Sequence, residues 1–589
     1  MNWKQTLFWV IIAALIYYFF LAFGVFLFQQ QEESQLFVPA WWNIREQLCQ
    51  PGGFCAVAGQ FVIQYYRMPL LAITIQMLLL VGCGLSLYRL LQRIKPAGYH
   101  LLLAFFPLLL LLKMSIRSNY LIDGTIGLFL MHLAFLPLTR INRQKTIALY
   151  GIVSTVLLFL FTGLLSVCYA VIYTLLTAFL YHTFKQKLQG LWSLIPAALF
   201  LLCYQSFHIP VSLLEGFKPE EYLEIQLLPH YFLYYVWLQY SLLIIGVLAI
   251  SGLFATFPTR HKGVKIFLSG CCLIVTLLFG KYCMPDQLDI QNRMTDELSY
   301  LAREKQWDTI INRYKGRPIQ DYISLNYLNM SLAQKGELAE NMFAFDQKGA
   351  KSLVAPWNQS LYMDKLLCDV HFMIGDLALA ESYAMDGFTQ SKRKGSARMM
   401  QRLVQISLLR GEKQLARKYL SLLQEMPFYK DWAQRYTVYL QHPEKMQEEP
   451  ELYHKGIPRQ KQDLLLSLMT TDSLWDSYQV SNRIGWEYKG CYYLLDKQLE
   501  KFRQYITTTN YPQNQSWPRH FQEAWLILED ADSTLTGQIP VQPNIRKAYQ
   551  QLKQNMNSRS QNQDIQSIYR EFGQTYWFYY YFKQFKKQK

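Results

Sequence analysis

Charge is scarce in this chain. Of its 589 residues, 17% are Asp, Glu, Lys or Arg, against about 25% in a typical soluble domain. The apolar content of 51% is too high for a disordered chain. Cysteine is also scarce: there are 10, with no Cys-x-x-Cys and no His-Glu-x-x-His. That excludes the common zinc spacings and a disulfide scaffold. No Gly-x-x-x-x-Gly-Lys, Gly-x-Gly-x-x-Gly, Gly-x-Ser-x-Gly or EF-hand loop is present. The P-loop, dinucleotide, nucleophile-elbow and calcium-loop classes therefore drop out. Acids are rarest in the first half. Residues 1–283 hold 8 Asp+Glu and 18 Lys+Arg, which leaves 34 and 40 for residues 284–589. A mean hydropathy of +0.03 is thus the average of two unlike halves.

What fills the first half is apolar sequence. Nine runs are long enough to be read as spans, since a hydrocarbon core of about 30 Å needs about 20 residues. They are Thr6–Phe28, Pro69–Leu91, Ala97–Ile116, Tyr120–Leu138, Thr146–Thr162, Leu164–Phe184, Leu191–Phe207, Tyr231–Phe257 and Ile266–Cys283. The third is interrupted by Pro107, and the fifth and sixth are nearly continuous. Basic residues orient the set. With the N-terminus cytoplasmic, inner loops hold Arg89, Arg93, Lys95, Arg140, Arg143, Lys145, Lys185, Lys187, Arg260, Lys262 and Lys265. The acids Glu32, Glu33, Glu46, Asp123, Glu215, Glu220, Glu221 and Glu224 then fall outside, and nine spans put residues 284–589 outside as well. The net charge of +16 reads mostly as this topogenic signal facing the lipid bilayer, with no nucleic-acid partner. In the first outer loop, 29–68, Cys49 and Cys55 flank Pro51-Gly52-Gly53; they can close a small disulfide or stay two thiols.

The second half reads as helical repeats. Polar turns recur at Lys305 (before Trp307), Gly336, Gly375 and Gly411, stepping by 31, 39 and 36 residues. The tetratricopeptide period is about 34. Gly375 and Gly411 are each followed five residues on by alanine, Ala380 and Ala416. Glycine lets one helix stop and the next start, and alanine lets the two approach. A later pair is expected over Asn482–Tyr505 around Gly490, loops over Thr507–Pro518 and Gly537–Pro543, and an aromatic-basic cap from Tyr576. The fold class is therefore all-α: a transmembrane domain over 1–283, tetratricopeptide-like repeats over 284–445, and further repeats with a cap over 446–589. A solenoid of this kind offers a concave face to a protein or peptide partner.

Candidate chemistry is sparse. Glu32 and Glu33 follow the first span, and the loop after them is rich in Trp, Phe and Tyr, as suits the membrane interface. Asp123 sits near the outer end of the fourth span. This layout resembles the GT-C superfamily of polyprenyl-phosphate-sugar transferases. The resemblance implies that one of these acids acts as general base or helps bind a divalent metal. The family's common Asp in the first loop is replaced here by Glu32-Glu33. The bland alternative makes Glu32 and Glu33 a solvated stop and Asp123 a helix cap. A second resemblance rests on Glu33-Ser34-Gln35-Leu36-Phe37, Gln50-Pro51-Gly52-Gly53-Phe54, Ser396–Leu420, Phe428–Ala433 and Pro518–Ala524. It is to an uncharacterised Bacteroidota family of multi-span inner-membrane proteins with a C-terminal tetratricopeptide-like domain, and it implies architecture rather than activity. The expectation is an inner-membrane scaffold presenting a periplasmic domain to an envelope partner, with no evident cofactor. The alternative is a GT-C-like glycosyltransferase, in which a metal would enter through Glu32, Glu33 or Asp123.

Overall fold

The computed structural model describes residues 3–94, 96–117, 120–181, 183–206, 236–256, 262–319, 321–358, 360–391, 395–452, 475–509, 516–557 and 565–584. Lys95, Glu215, Glu220, Glu221, Glu224 and Arg260 lie outside these. Every regular element among the described residues is helical. Two compact units divide at Met294–Thr295, about three helical turns beyond the Cys283 boundary read from sequence. Residues 295–589 form the second unit.

The first unit contains α1 (Trp3–Phe23), α2 (Val25–Glu33), α3 (Trp41–Leu48), α4 (Gly53–Gln64), α5 (Pro69–Ile94), α6 (His100–Met114), α7 (Ile122–Phe135), α8 (Gln144–Thr162), α9 (Leu165–Leu180), α10 (Phe184–Leu188), α11 (Leu194–Ser206), α12 (Val236–Thr256) and α13 (Lys262–Tyr282). Six segments are long and apolar enough to cross a membrane: Trp3–Phe23, Pro69–Ile94, Ile122–Thr139, Gln144–Thr162, Phe184–Cys203 and Val236–Phe254. His100–Met114, Leu165–Leu180 and Ile266–Tyr282 are apolar but shorter. The first sequence run divides at Gly24, so its last residues belong to α2 rather than to one long span. Gly163, at φ +64°, separates the fifth run from the sixth; side chains other than glycine rarely hold that backbone. Large apolar side chains face outward on the long helices, including Leu15, Leu149, Leu253 and Phe267. So much exposed apolar surface marks a membrane protein. Inside, small residues bring helices close, as at Gly84 against Trp9 and Leu108.

The second unit runs through α14 (Gln287–Arg303, which begins in the first), α15 (Trp307–Tyr314), α16 (Tyr322–Gln334), α17 (Leu338–Asn341), α18 (Leu361–Ile374), α19 (Leu377–Thr389), α20 (Ala397–Arg410), α21 (Lys413–Gln424), α22 (Lys430–Gln441), α23 (Arg483–Leu495), α24 (Leu499–Thr508), α25 (Arg519–Ala531), α26 (Pro543–Asn557), α27 (Ile565–Phe572) and α28 (Tyr576–Phe582). The four turns singled out from sequence share one backbone conformation: Lys305, Gly336, Gly375 and Gly411 have φ of +56°, +72°, +87° and +76°. Each makes the same two hydrogen bonds. The turn residue's N–H donates three residues back, as Gly411 to Leu408 at 3.1 Å, and the next N–H donates five back, as Glu412 to Ser407 at 2.8 Å. This is the Schellman cap, which closes a helix and reverses the chain. A fifth copy occurs at Lys497, φ +58°, with Gln498 donating to Tyr493 at 2.9 Å. The pair expected around Gly490 therefore exists, but it turns at Lys497. Gly490 lies inside α23, where it lets the Phe521 ring pack close. Ala380 and Ala416 are fully buried, and Trp307 is half-buried against the core.

The stacking departs from a simple repeat array. In a solenoid each repeat touches only its neighbours. Here α23 packs on α16, α17 and α18, and α25 on α17. Tyr478 O–H, just ahead of α23, donates to the Ile374 carbonyl at 2.6 Å. One apolar core joins residues from Leu298 to Ile374 with residues from Trp475 to Tyr579. The expected C-terminal cap is part of that core: Tyr576, Trp577, Phe578 and Tyr579 are buried, and Trp577 Nε1 donates to the Glu523 carbonyl at 2.7 Å.

Candidate functional site in the first loop

The loop between α1 and α5 folds into α2, α3 and α4, and their polarity is inverted. On α3, Trp41 and Trp42 are 70% and 59% exposed, whereas Asn43 and Gln47 are buried. On α4, Phe54 and Phe61 face outward and Gln60 and Gln64 inward. Amides four residues apart share one helix face, so each helix turns an amide stripe inward and an aromatic face outward. α2 ends in four consecutive buried polar residues, Gln30, Gln31, Glu32 and Glu33; the two glutamates are each 3% exposed.

Asp123 joins this interior from α7. It is 2% exposed and sits in the first turn. Gly59 on α4 lies so close that an added Cβ would stand 2.6 Å from the Asp123 Cβ. Gln31 Nε2 donates to the Tyr120 carbonyl at 3.1 Å, tying the glutamate-bearing end of α2 to the approach to Asp123. Gln35 Nε2 donates to the Gln60 carbonyl at 3.0 Å, and Gln47 Nε2 to Asn43 Oδ1 at 3.1 Å and Gln60 Oε1 at 3.3 Å. Gln76 Nε2 of α5 donates to the Tyr66 hydroxyl at 2.9 Å. Burial pushes that hydroxyl's pKa up, and the Asp123 charge adds to the rise. Gln35 Oε1, Gln64 Nε2 and Gln76 Oε1 are buried with no partner among the described residues. Such groups call for a polar guest or water.

The bland alternatives for the acids do not match these positions. A solvated stop would leave Glu32 and Glu33 in water, yet both are buried. The N-cap of α7 is Leu121, with no side-chain cap bond, so Asp123 is not the cap. Among the described residues no group of three or more His, Cys, Asp or Glu side chains is placed to hold a metal ion. The metal implied by the transferase resemblance finds no three-carboxylate cradle among the described residues. Cys49 and Cys55 are not joined. Cys49 is exposed at the end of α3, while Cys55 is buried in α4 with its Sγ 3.8 Å from where a Cβ on Gly127 of α7 would lie.

Sequence reasoning found the three acids and missed the amides. The signal was available: Asn43/Gln47 and Gln60/Gln64 repeat at four residues inside otherwise aromatic and apolar stretches.

A family model described as a family of unknown function, DUF6057, matches residues 1–583. The chain belongs to the DUF6057 family. No curated protein and no solved structure matches it. Membership covers both units of the chain and assigns neither a reaction.

Proposed function

We propose that the first loop of this membrane protein forms a substrate site and that the protein is a transferase acting on a lipid-linked polar headgroup, in the manner of GT-C glycosyltransferases. One observation carries the reading: α3 and α4 turn amides inward toward buried acids and aromatics outward. Buried ionisable residues at membrane depth are costly and usually functional. In this reading Glu32 or Glu33 takes the proton from an acceptor hydroxyl. The acceptor oxygen bonds to the sugar's anomeric carbon, and the bond to the lipid phosphate breaks, releasing the phosphate. The lining amides orient hydroxyls, since each amide both donates and accepts. The test is a strain carrying Glu32→Gln with Glu33→Gln. The expected result is loss of a glycan or lipid-linked intermediate at normal protein abundance; an unchanged profile sinks the idea.

A second reading concerns the other unit and draws on its five matching turns. In it, the helical unit is tetratricopeptide-like and holds an envelope partner, with the N-terminus cytoplasmic, an odd number of spans and residues 295–589 in the periplasm of a Gram-negative cell. The basic residues of the α5–α6, α7–α8 and α9–α11 connections support that orientation. Cysteines introduced at exposed Glu304 and Asp308 should label with an impermeant reagent once the outer membrane is opened. Labelling only after inner-membrane lysis would reverse the orientation.

A further inference from the structure

A polar cavity lies within the helical unit, where the Gly336 turn meets the first residues of α23 and the approach to α25. Its volume is about 310 Å³, and Gly336, Glu340, Arg483, Glu487, Ser516 and Pro518 line it. That is the lower end of the size range of small-molecule sites.

The walls are charged and fixed in place. Glu340 Oε1 accepts the backbone N–H of Arg519 at 3.1 Å, so one carboxylate oxygen is held at the start of α25. Among the described residues its second oxygen makes no hydrogen bond. Arg483 Nε donates to Glu487 Oε1 at 3.0 Å. Glu487 is 4% exposed and Arg483 is 55% exposed. Only Nε of Arg483 is engaged, so both Nη groups keep their hydrogens for another acceptor. Gly336 leaves open space where a Cβ would stand.

Each wall selects a different group. A guanidinium with two unused amino groups fits a carboxylate through paired hydrogen bonds. A fixed, unused carboxylate oxygen fits an ammonium. Glu487 is turned onto Arg483 Nε, so Arg483 and Glu340 present one group of each sign to the open space, which favours a ligand charged at both ends. We propose that this cavity binds a free zwitterion between an amino acid and a dipeptide in size, with its carboxylate on Arg483 and its ammonium on Glu340.

Calorimetry on the detergent-purified full chain tests this with alanine and alanylalanine as probes. Saturable binding of at least one is expected. The matching N-acetyl and C-amide forms should bind about tenfold more weakly or worse, since each lacks one charge-assisted contact. Glu340→Gln should bring the free probe down to the level of its N-acetyl form. Arg483→Lys keeps the positive charge beside Glu487 and loses the fork, so it should retain the ligand-free melting temperature and lose about tenfold in binding. Equal binding of free and capped probes, no saturable binding of either, or a well-folded Arg483→Lys with unchanged affinity would overturn the assignment.

Discussion

In the first unit Glu32, Glu33 and Asp123 are buried, as are Gln31, Gln35, Gln60 and Gln64, whereas in the second Asp369 lies between two guanidinium groups. Arg398 Nη2 meets Asp369 Oδ2 at 2.6 Å and Arg402 Nη2 meets Oδ1 at 2.7 Å. Arg402 also stacks 3.9 Å over the Phe372 ring. Burial alone would raise the Asp369 pKa, but the two arginines outweigh it and hold it below the ordinary range. Glu451 behaves likewise: burial raises it, yet Arg402 and Lys305 bring it to about 2. A carboxylate clamped by two forks is complete, and its task is structural. Amides, able to donate and to accept, form a lining that a polar guest can enter. Burial of an acid is therefore no sign of function by itself; the kind of neighbour separates the two cases.

That contrast breaks most visibly at the clamp. Arg402→Met should destabilise the second unit by about 3–5 kcal/mol, because it strips a buried carboxylate of one partner; chemical unfolding of the full chain measures it. If stability is unchanged, Asp369 is not clamped as described.

Asp364 sharpens the comparison from within the same helix. It lies on α18 fully buried, and Trp357 Nε1 donates to it at 2.7 Å. Burial pushes its pKa to about 7, against the lowering influence of Trp357. A raised folded pKa stabilises below the unfolded value and loses that contribution as pH rises through the folded one. The loss should fall between about pH 4 and 7 and reach at most about 4 kcal/mol. Asp364→Asn should flatten it in a melting series against pH.

Two smaller effects probe backbones. Gly59→Ala should separate α4 from α7 and lower thermal stability by about 1–3 kcal/mol, as overpacking does; an unshifted melt would mean that the helices can part freely at Asp123. Gly411→Ala should cost about 1–2 kcal/mol for its left-handed backbone. The same substitution at a glycine inside a regular helix, Gly387, meets ordinary backbone but tight neighbours at Met399 and Asp364, so the pair separates backbone strain from crowding.

Much of the fold was legible because it rests on local rules. Apolar run length pointed to six long apolar helices, while three of the nine runs fold as shorter ones, and the turn spacing gave Lys305, Gly336, Gly375 and Gly411. The return of α23 and α25 onto α16–α18 was not legible, since contacts between distant helices leave no periodic trace. At the site, the acids stood out because acids are rare in the first half. Their burial did not, because it depends on α7 coming to lie against Gly59. The displaced turn shows the same limit. Glycine is the usual signal for a left-handed cap, and at Lys497 a lysine does that work, with its Nζ reaching the Tyr580 carbonyl at 2.9 Å.

The contact between Gly59 and Asp123 also sets an order in time. The ribosome delivers α3 and α4 well before α7, and at roughly 5–20 residues per second the wait lasts several seconds. Throughout it, Gly59 on α4 has no Asp123 to pack against, and that contact forms only once the fourth apolar segment arrives.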